Sequence, residues 1–223
     1  MNNLIYPLHI DFRRYSFLYS SYYISKNDNL QRQLNLEYQY SFMQNKSTIW
    51  GKTTLDNVAK LYQPQTISGN ELISNGKYLV YGANGIIGKY DRYNHEEQQI
   101  AVACRGASCG AIIMTLPMSW ITGNAMVVSP KQNFPYKEYL YYTLSQISIA
   151  FLTSGSAQPQ LTRENMSIYP LLIPSKELLE VFETKARVAR KTITSNELEN
   201  MQLLRLREWL LPMLINGQAS IFD

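Results

Sequence analysis

This chain has little of what staples, anchors or arms a protein. Of its 223 residues only two are cysteine, Cys104 and Cys109, and two are histidine, His9 and His95. Neither histidine stands near the cysteines in a ligand spacing, so these residues do not make a zinc site. Two thiols suit a reducing compartment, where they read as small buried residues of a sheet. No run of 18 apolar residues is present, which excludes a transmembrane helix. Asp11, Arg13 and Arg14 interrupt any signal-peptide pattern at the N-terminus, so the expected location is cytoplasmic. Charge of either sign is scarce in excess: the net value is +4, compatible with nucleic acid without demanding it. Catalytic signatures are missing too. There is no Asn-Pro-Pro-aromatic methyl-transfer motif, no Walker sequence and no paired-histidine zinc-protease motif. A flipped-base methylation pocket and a methyl-donor site have no visible signature either.

What is abundant is tyrosine, 17 residues, together with many amides. These side chains hydrogen-bond to polar edges at low ordering cost. They suit readout surfaces and ordinary β-rich surfaces alike.

The most distinctive segment is Tyr81-Gly82-Ala83-Asn84-Gly85-Ile86-Ile87-Gly88, in which an apolar strand, Tyr78 to Tyr81, meets a turn with glycine at every third position. Glycine permits positive φ and close backbone approach, so the loop is expected to sit against something. A dinucleotide fingerprint needs G-x-G-x-x-G opening a helix, and a phosphate loop needs G-K-[ST]. This loop is G-x-x-G-x-x-G and Gly88-Lys89 is followed by Tyr90, so neither nucleotide motif is met. A ligand-free tight turn is the plain alternative. Nearby, Asp91, Glu96 and Glu97 flank His95; the cluster reads as a solvated turn, with a metal or nuclease site as its alternative.

Along the chain, residues 1–49 are tyrosine- and serine-rich and lack a clean period. Asp28 is a candidate cap for a helix carrying Leu30, Leu34, Tyr38 and Phe42 at spacings of four. Leu55 to Ala59 reads as a short helix or turn. Short apolar segments at Tyr78–Tyr81, Ile100–Cys104, Ala111–Thr115 and Ala125–Ser129 read as strands. Pro135 to Leu152 takes helical spacing through Tyr139, Leu140, Thr143, Leu144, Ile147 and Phe151. A polar loop follows from Ser154 to Gln160, and Met166 to Ile173 reads as strand. Between Pro174 and Pro212 there is neither glycine nor proline. Ser175 is a plausible N-cap with Glu177 in the first turn. Phe182, Ala186, Ala189 and Ile193 step by four, three and four. After a polar interruption near Asn196 the seam resumes through Met201, Leu204, Leu211 and Ile215. This alternation predicts a coiled-coil-forming helix of roughly 50–60 Å, longer than a small domain needs for its own packing.

The order of these features resembles the specificity (S) subunit of type I restriction-modification systems. The resemblance rests on the tryptophan-led start Trp50 to Val58, the glycine loop, and Val102-Ala103-Cys104-Arg105-Gly106-Ala107-Ser108-Cys109-Gly110. It continues through Thr122-Gly123-Asn124-Ala125, the loop Gly155 to Thr162 with the strand ending Ile173-Pro174, and Leu210 to Gln218. It spans residues 50–218. It implies an α+β fold with a mixed target recognition domain at 50–174 and a long conserved helix at 175–218, used for dimerisation or for docking methylating subunits. Residues 1–49 are an unassigned, partly helical segment, and 219–223 are a tail. The chain looks like half an S subunit, with one recognition domain and one long helix.

The implied function is sequence-specific binding of double-stranded DNA, reading one half of a bipartite target. The implied partners are DNA methyltransferase (M) subunits and, through them, restriction (R) subunits, with no membrane. The chain itself is expected to be non-catalytic and without cofactor, the methyl donor and ATP belonging to partner subunits. Half-size predicts a homodimer through the C-terminal helix; a truncated gene product or a recombination cassette are its alternatives. A non-DNA structural protein that oligomerises through that helix is the competing reading.

For a DNA reader, base edges call for paired donors and acceptors on loops or strand ends. The base-reading candidates are Tyr81, Asn84, Arg105, Ser108, Asn124, Gln158 and Gln160, with Tyr90 as a further packing candidate. Lys77, Lys89, Arg92 and Lys131 are candidates for gripping the phosphate backbone.

Overall fold

Two long helices flank the short strands along the chain. In order, the elements of this computed structural model are α1 (Phe12–Tyr38), which continues as a π-helical turn (Gln39–Gln44), then β1 (Gly51–Thr54), α2 (Leu55–Val58), β2 (Ala59–Tyr62), β3 (Tyr78–Gly82), β4 (Gly85–Tyr90), β5 (Ile100–Ala103) and β6 (Ile112–Met114). There follow β7 (Trp120–Ile121), β8 (Ala125–Pro130), α3 (Lys137–Ser145), β9 (Thr153–Ser154), β10 (Gln160–Leu161), α4 (Arg163–Ser167), β11 (Pro170–Ile173) and α5 (Lys176–Ile215). The structure describes residues 12–45, 47, 50–146, 153–154 and 160–216. Mixed helix and sheet with a long C-terminal helix is the expected fold class. No helix among the described residues is long and apolar enough to cross a membrane.

The chain forms two compact units, Glu37–Ala186 and Met1–Leu36 with Arg187–Asp223. The centre of the first is a four-stranded antiparallel sheet in the order β2-β8-β5-β6. Ile100 to Ala103 and Ala125 to Val128 are buried without alternation, as unbroken apolar runs should be when both faces are covered. A three-stranded sheet, β4-β3-β7, pairs β3 antiparallel to β4 and parallel to β7. The ends of the strand-rich region are clasped together: β1 lies antiparallel to β11, from Gly51 opposite Ile173 to Thr54 opposite Pro170.

Next to that clasp is an aromatic cluster. Tyr38 and Phe42 meet Tyr139 and Tyr142 of α3 and Phe182 of α5. Phe42 and Phe182 are edge-to-face at 5.2 Å, and Tyr38 stacks on Tyr142 at 5.9 Å. Such pairs add about 0.5–1.5 kcal/mol each beyond area burial. The polar tips are satisfied: Tyr38 Oη donates to Thr143 Oγ1 at 2.9 Å, and Tyr139 Oη donates to the Leu172 carbonyl at 2.6 Å. Burial pushes the Tyr38 phenol up to about 12, so it stays protonated and keeps donating. Glu183, buried on α5, accepts the backbone N–H groups of Glu138 and Tyr139 at 3.1 and 3.2 Å. A side-chain carboxyl thus caps the N-terminal turn of α3, supplied from a helix 45 residues away in sequence.

In the second unit α1 and α5 run antiparallel. Asn27 Nδ2 donates to the Ile193 carbonyl at 3.2 Å, Asn196 Nδ2 donates to Asn27 Oδ1 at 2.7 Å, and Arg190 reaches Gln31 Oε1 at 3.4 Å. The polar interruption at Asn196 is therefore a cross-helix amide pair, a device that fixes helix register at some cost in stability.

Several expectations are corrected. Among the described residues there are two long helices, α1 and α5, where one was expected. Asp28 lies inside α1 and caps nothing, although Leu34, Tyr38 and Phe42 do form a buried stripe. The segment from Met166 is not all strand: α4 runs to Ser167, capped by Thr162 Oγ1 accepting the Asn165 N–H, and β11 begins at Pro170. Ser154 and Gln160 belong to a strand pair, not to a loop. Phe182 and Ala186 are buried inside the strand-bearing unit and are not free for a partner helix, while Ile193 is buried in the helical unit. Ala189, Met201, Leu204 and Leu211 are half-buried, and Ile215 is exposed. The described part of the 135–152 helix is Lys137–Ser145; Ile147 and Phe151 lie outside the described residues. The Ser175 cap is present, its Oγ accepting the Leu178 N–H at 3.4 Å.

Glu183→Ala removes a buried acceptor and orphans two N–H groups. It should lower the unfolding free energy by about 2–3 kcal/mol in urea titrations, with Glu183→Gln costing less because the amide oxygen still accepts.

Candidate nucleic-acid interface

The glycine loop is the tip of a hairpin. β3 pairs with β4 from Tyr78 opposite Tyr90 to Gly82 opposite Gly85, leaving Ala83 and Asn84 as the connection. Gly85 has φ +82°, the left-handed region that a side chain resists. The other two glycines make room for the chain's own side chains. A Cβ on Gly82 would meet Ile87 Cδ1 at 3.1 Å, and one on Gly88 would meet Leu72 Cδ1 at 2.9 Å. What the loop sits against is its own fold.

Asn84, exposed at the tip, faces the β5–β6 connection. Ser108 Oγ donates to the Ala83 carbonyl at 2.9 Å and also contacts Asn84 Oδ1. A hydroxyl has one proton, so turning the Asn84 amide to present its NH₂ to Oγ satisfies both contacts. In the same connection Cys104 joins two neighbours through its backbone: its N–H donates to the Asn124 carbonyl at 3.0 Å, and its carbonyl accepts the Leu161 N–H at 2.9 Å. The next residue, Arg105, forms an antiparallel bridge with Gln160, which is itself paired with Ser154. Five of the predicted base readers are thereby gathered on one rim: Asn84, Ser108, Arg105, Asn124 and Gln160. Arg105, Asn84 and Gln160 are exposed; Ser108 and Asn124 are half-buried. The exposed set combines a guanidinium, matched to guanine O6 and N7, with two amides, matched to adenine N6 and N7.

Two candidates do not join them. Tyr81 is buried, with its hydroxyl accepting the Leu116 N–H at 3.1 Å, so it is a core strut rather than a surface reader. Gln158 lies outside the described residues. Tyr90 is half-buried, its ring edge-to-face with Trp120 at 5.3 Å.

The phosphate-grip candidates stand apart from the rim. Lys77 precedes β3 and Lys89 pairs with Leu79, so both are at the hairpin's base, with Arg92 beyond it. Lys77 lies over the Tyr78 ring at 5.1 Å. Lys131 follows β8, whose other end opposes Ala103, so it lies at the far end of the central sheet, roughly 17–20 Å away for a six-residue strand. There Lys131 Nζ donates to the Asp56 carbonyl, and with Lys60 and Arg163 it lines a cleft of about 420 Å³.

Sequence reasoning missed Gln63, whose Nε2 donates to the Gly123 carbonyl at 3.1 Å, and the edge residues Ile86 and Ile87. Gln63 and Gly123 are 60 residues apart, joined only through sheet pairing, and nothing local signals that.

His95 is a strut. Its Nδ1 is 2.6 Å from Asn94 Oδ1 and its Nε2 is 2.8 Å from Tyr62 Oη. The amide oxygen can only accept, so Nδ1 bears the proton and Nε2 accepts from the phenol. Both nitrogens are occupied, and no group of three metal-ligating side chains occurs among the described residues. Cys104 is fully buried and burial pushes its thiol up to about 11, so it behaves as a packing residue; Cys109 is half-buried in the connection.

Residues 48–200 match the family described as Type I restriction modification DNA specificity domain. The chain belongs to that family. Among curated proteins it is similar to the Type I restriction enzyme HindI specificity subunit of Haemophilus influenzae, 30% identical over 128 residues, which is 54% of this chain and 27% of that protein. It is also similar to the Type I restriction enzyme EcoprrI specificity subunit of Escherichia coli, 26% identical over 144 residues, or 60% of this chain and 36% of that protein. The chain thus spans about a third of the curated relatives it matches. In fold it resembles a crystal structure of the type I restriction-modification S subunit from M. genitalium, with a TM-score of 0.57 and 17% identity, covering 91% of this chain and 60% of that one.

Burial lowers the His95 pKa below its ordinary value near 6.5. Above that value the imidazole is neutral in both folded and unfolded chains and the stability is complete. As pH falls through about 6.5 the unfolded chain takes up a proton that the fold resists, so stability is lost until the folded group titrates as well. The melting temperature should therefore fall between pH 7.5 and 5.5, and fall less in His95→Gln over the same interval.

Proposed function

We propose that this chain is the sequence-reading component of a type I restriction-modification complex, non-catalytic itself, and that its strand-bearing unit reads one half of a bipartite DNA target. The observation that carries the reading is the rim on which Asn84, Ser108, Arg105, Asn124 and Gln160 meet, within the residues that match the DNA specificity family. Four chain segments converge there: the β3–β4 turn, the β5–β6 connection, the residue before β8 and the start of β10. They offer base-matching hydrogen-bond groups rather than a nucleophile, a general base or a metal cluster. Its position at loops and strand ends is where a rigid scaffold leaves side chains free to contact a ligand.

The proposed partners are double-stranded DNA, methylating subunits and, through them, restriction subunits. Methyl donor and ATP belong to those partners. Within residues 175–218, two copies pair in the cytoplasm through the face of α5 left exposed, since Phe182, Ala186 and Ile193 are buried in the chain's own packing. They read two inverted half-sites, since a two-fold protein mirrors a two-fold site. The exposed apolar side chains Val188, Leu206 and Trp209 on α5 support a partner on that helix.

The test is a gel-shift titration of the purified chain, with its methylating subunit, against a duplex carrying the target identified by methylation mapping and against a scrambled duplex. The target should bind at least tenfold tighter, and both affinities should weaken steeply with salt. Arg105→Ala should reduce the preference by about 1–3 kcal/mol, and Asn84→Ala should change the preferred base without lowering the melting temperature. Equal affinity for the two duplexes at every salt concentration refutes the reading.

A further inference from the structure

The hairpin that carries Asn84 also carries an apolar feature that the polar rim does not explain. Val80 pairs with Gly88 but Tyr81 pairs with Ile86, so Ile87 is an extra residue without a partner: a β-bulge. Side chains alternate between faces along a regular strand. The bulge breaks that alternation, and the consecutive Ile86 and Ile87 are 56% and 42% exposed. Gly82 is cut back to hydrogen under Ile87, which supports that side chain from beneath. β4 is also the edge of its sheet, where an exposed apolar pair invites unwanted strand pairing. A lone exposed isoleucine is unremarkable. Two in succession, re-aimed by a bulge on an edge strand and next to a cluster of base-matching groups, have the placement of a contact surface.

β3 is paired with β7 on its other side, so the parts of the hairpin a duplex can reach are its tip and the edge strand β4. In the DNA major groove the one apolar group displayed by the bases is the 5-methyl of thymine. Resting on the DNA-reading function above, we propose that the tip of the β3–β4 hairpin and its edge strand β4 face the major groove and that Ile86 and Ile87 pack against a thymine methyl, beside the base edge met by Asn84. The hairpin then reads two chemistries at once: an amide at its tip for hydrogen-bonding atoms and a branched aliphatic pair for the methyl.

The experiment uses the full chain and a library of random duplexes, from which bound sequences are selected. Each thymine of the selected sequence is then replaced in turn by deoxyuridine, which removes the methyl and nothing else. Burying one methyl corresponds to roughly a fourfold change in affinity. Wild type should lose about three- to tenfold at one or two thymines. Ile86→Ala should lose a similar factor on the thymine duplex and become indifferent to deoxyuridine there, with an unchanged melting temperature. Ile87→Ala should behave alike in affinity, but it also uncovers Gly82, so Ile86→Ala is the decisive variant. A selected sequence without thymine, full tolerance of every deoxyuridine, or equal deoxyuridine sensitivity in wild type and Ile86→Ala each overturn the methyl contact and leave DNA reading intact. Failure of wild type to enrich any sequence overturns the DNA-reading function itself, and this contact with it.

Discussion

The two ends of the strand-bearing unit are brought together by how Phe182 of α5 is enclosed. Tyr38, Phe42 and Tyr142 surround its ring, and Glu183, the next residue, holds the N-terminus of α3. One turn of α5 therefore fixes the end of α1 by aromatic packing and the start of α3 by accepting its backbone N–H groups. The β1–β11 clasp lies nearby, and the Tyr139 hydroxyl ties α3 to β11 at Leu172. The constraint is mutual. Without the helices the aromatic faces are exposed to water, and without the clasp the chain entering at Gly51 and leaving at Ile173 has no fixed separation.

That arrangement separates two jobs. The clasp and aromatic cluster need particular residues in particular places, because buried aromatics pack at high density and buried carboxylates must be paired. The rim residues are held by backbone pairing: Arg105 by its bridge to Gln160, Asn124 through its carbonyl, Asn84 by a two-residue turn. Backbone pairing is indifferent to most side chains. The rim can therefore change its exposed groups, and in the proposed reading its target, at little cost to the fold.

How much of this was legible in the sequence depended on whether its cause was local. α5 was legible because a long run without glycine or proline follows a serine cap, and both are local facts. The strands at Ile100 and Ala125 were legible as short apolar runs. Only the second half of α1 was legible, through Leu30, Leu34 and Tyr38; its first half is tyrosine- and serine-rich without a period, and the pairing of the helix with α5 is fixed by Asn27 meeting Asn196, 169 residues away. α4 was misread as strand because Met166 and Ile168 suggest sheet, although Thr162 three residues before Asn165 was an available cap signal. Tyr81 was misplaced because a phenol suits a surface as well as a core, and only the Leu116 N–H decides between them. The composition of the rim was legible and its convergence was not, because the bridge from Arg105 to Gln160 and the contact from Ser108 to Asn84 come from sheet order.

The distribution of charge then argues for how a duplex would be held. Arg105 is the one basic residue among the gathered rim groups, whereas Lys60, Lys131 and Arg163 cluster at the opposite end of the central sheet, about one strand length away. Phosphate contacts supply most non-specific affinity, and base contacts supply discrimination. A rim rich in amides and poor in cations therefore discriminates more than it grips. Such a surface spends little time on wrong sequences, because a mismatched base leaves its hydrogen-bonding groups unpaired while few phosphate contacts compensate. It also needs binding energy from elsewhere, either a second copy on the other half-site or partner subunits that enclose the duplex. In the proposed function, the helices that make this chain an assembling protein and the weakly charged rim that makes it a reader are complementary consequences of one division of labour.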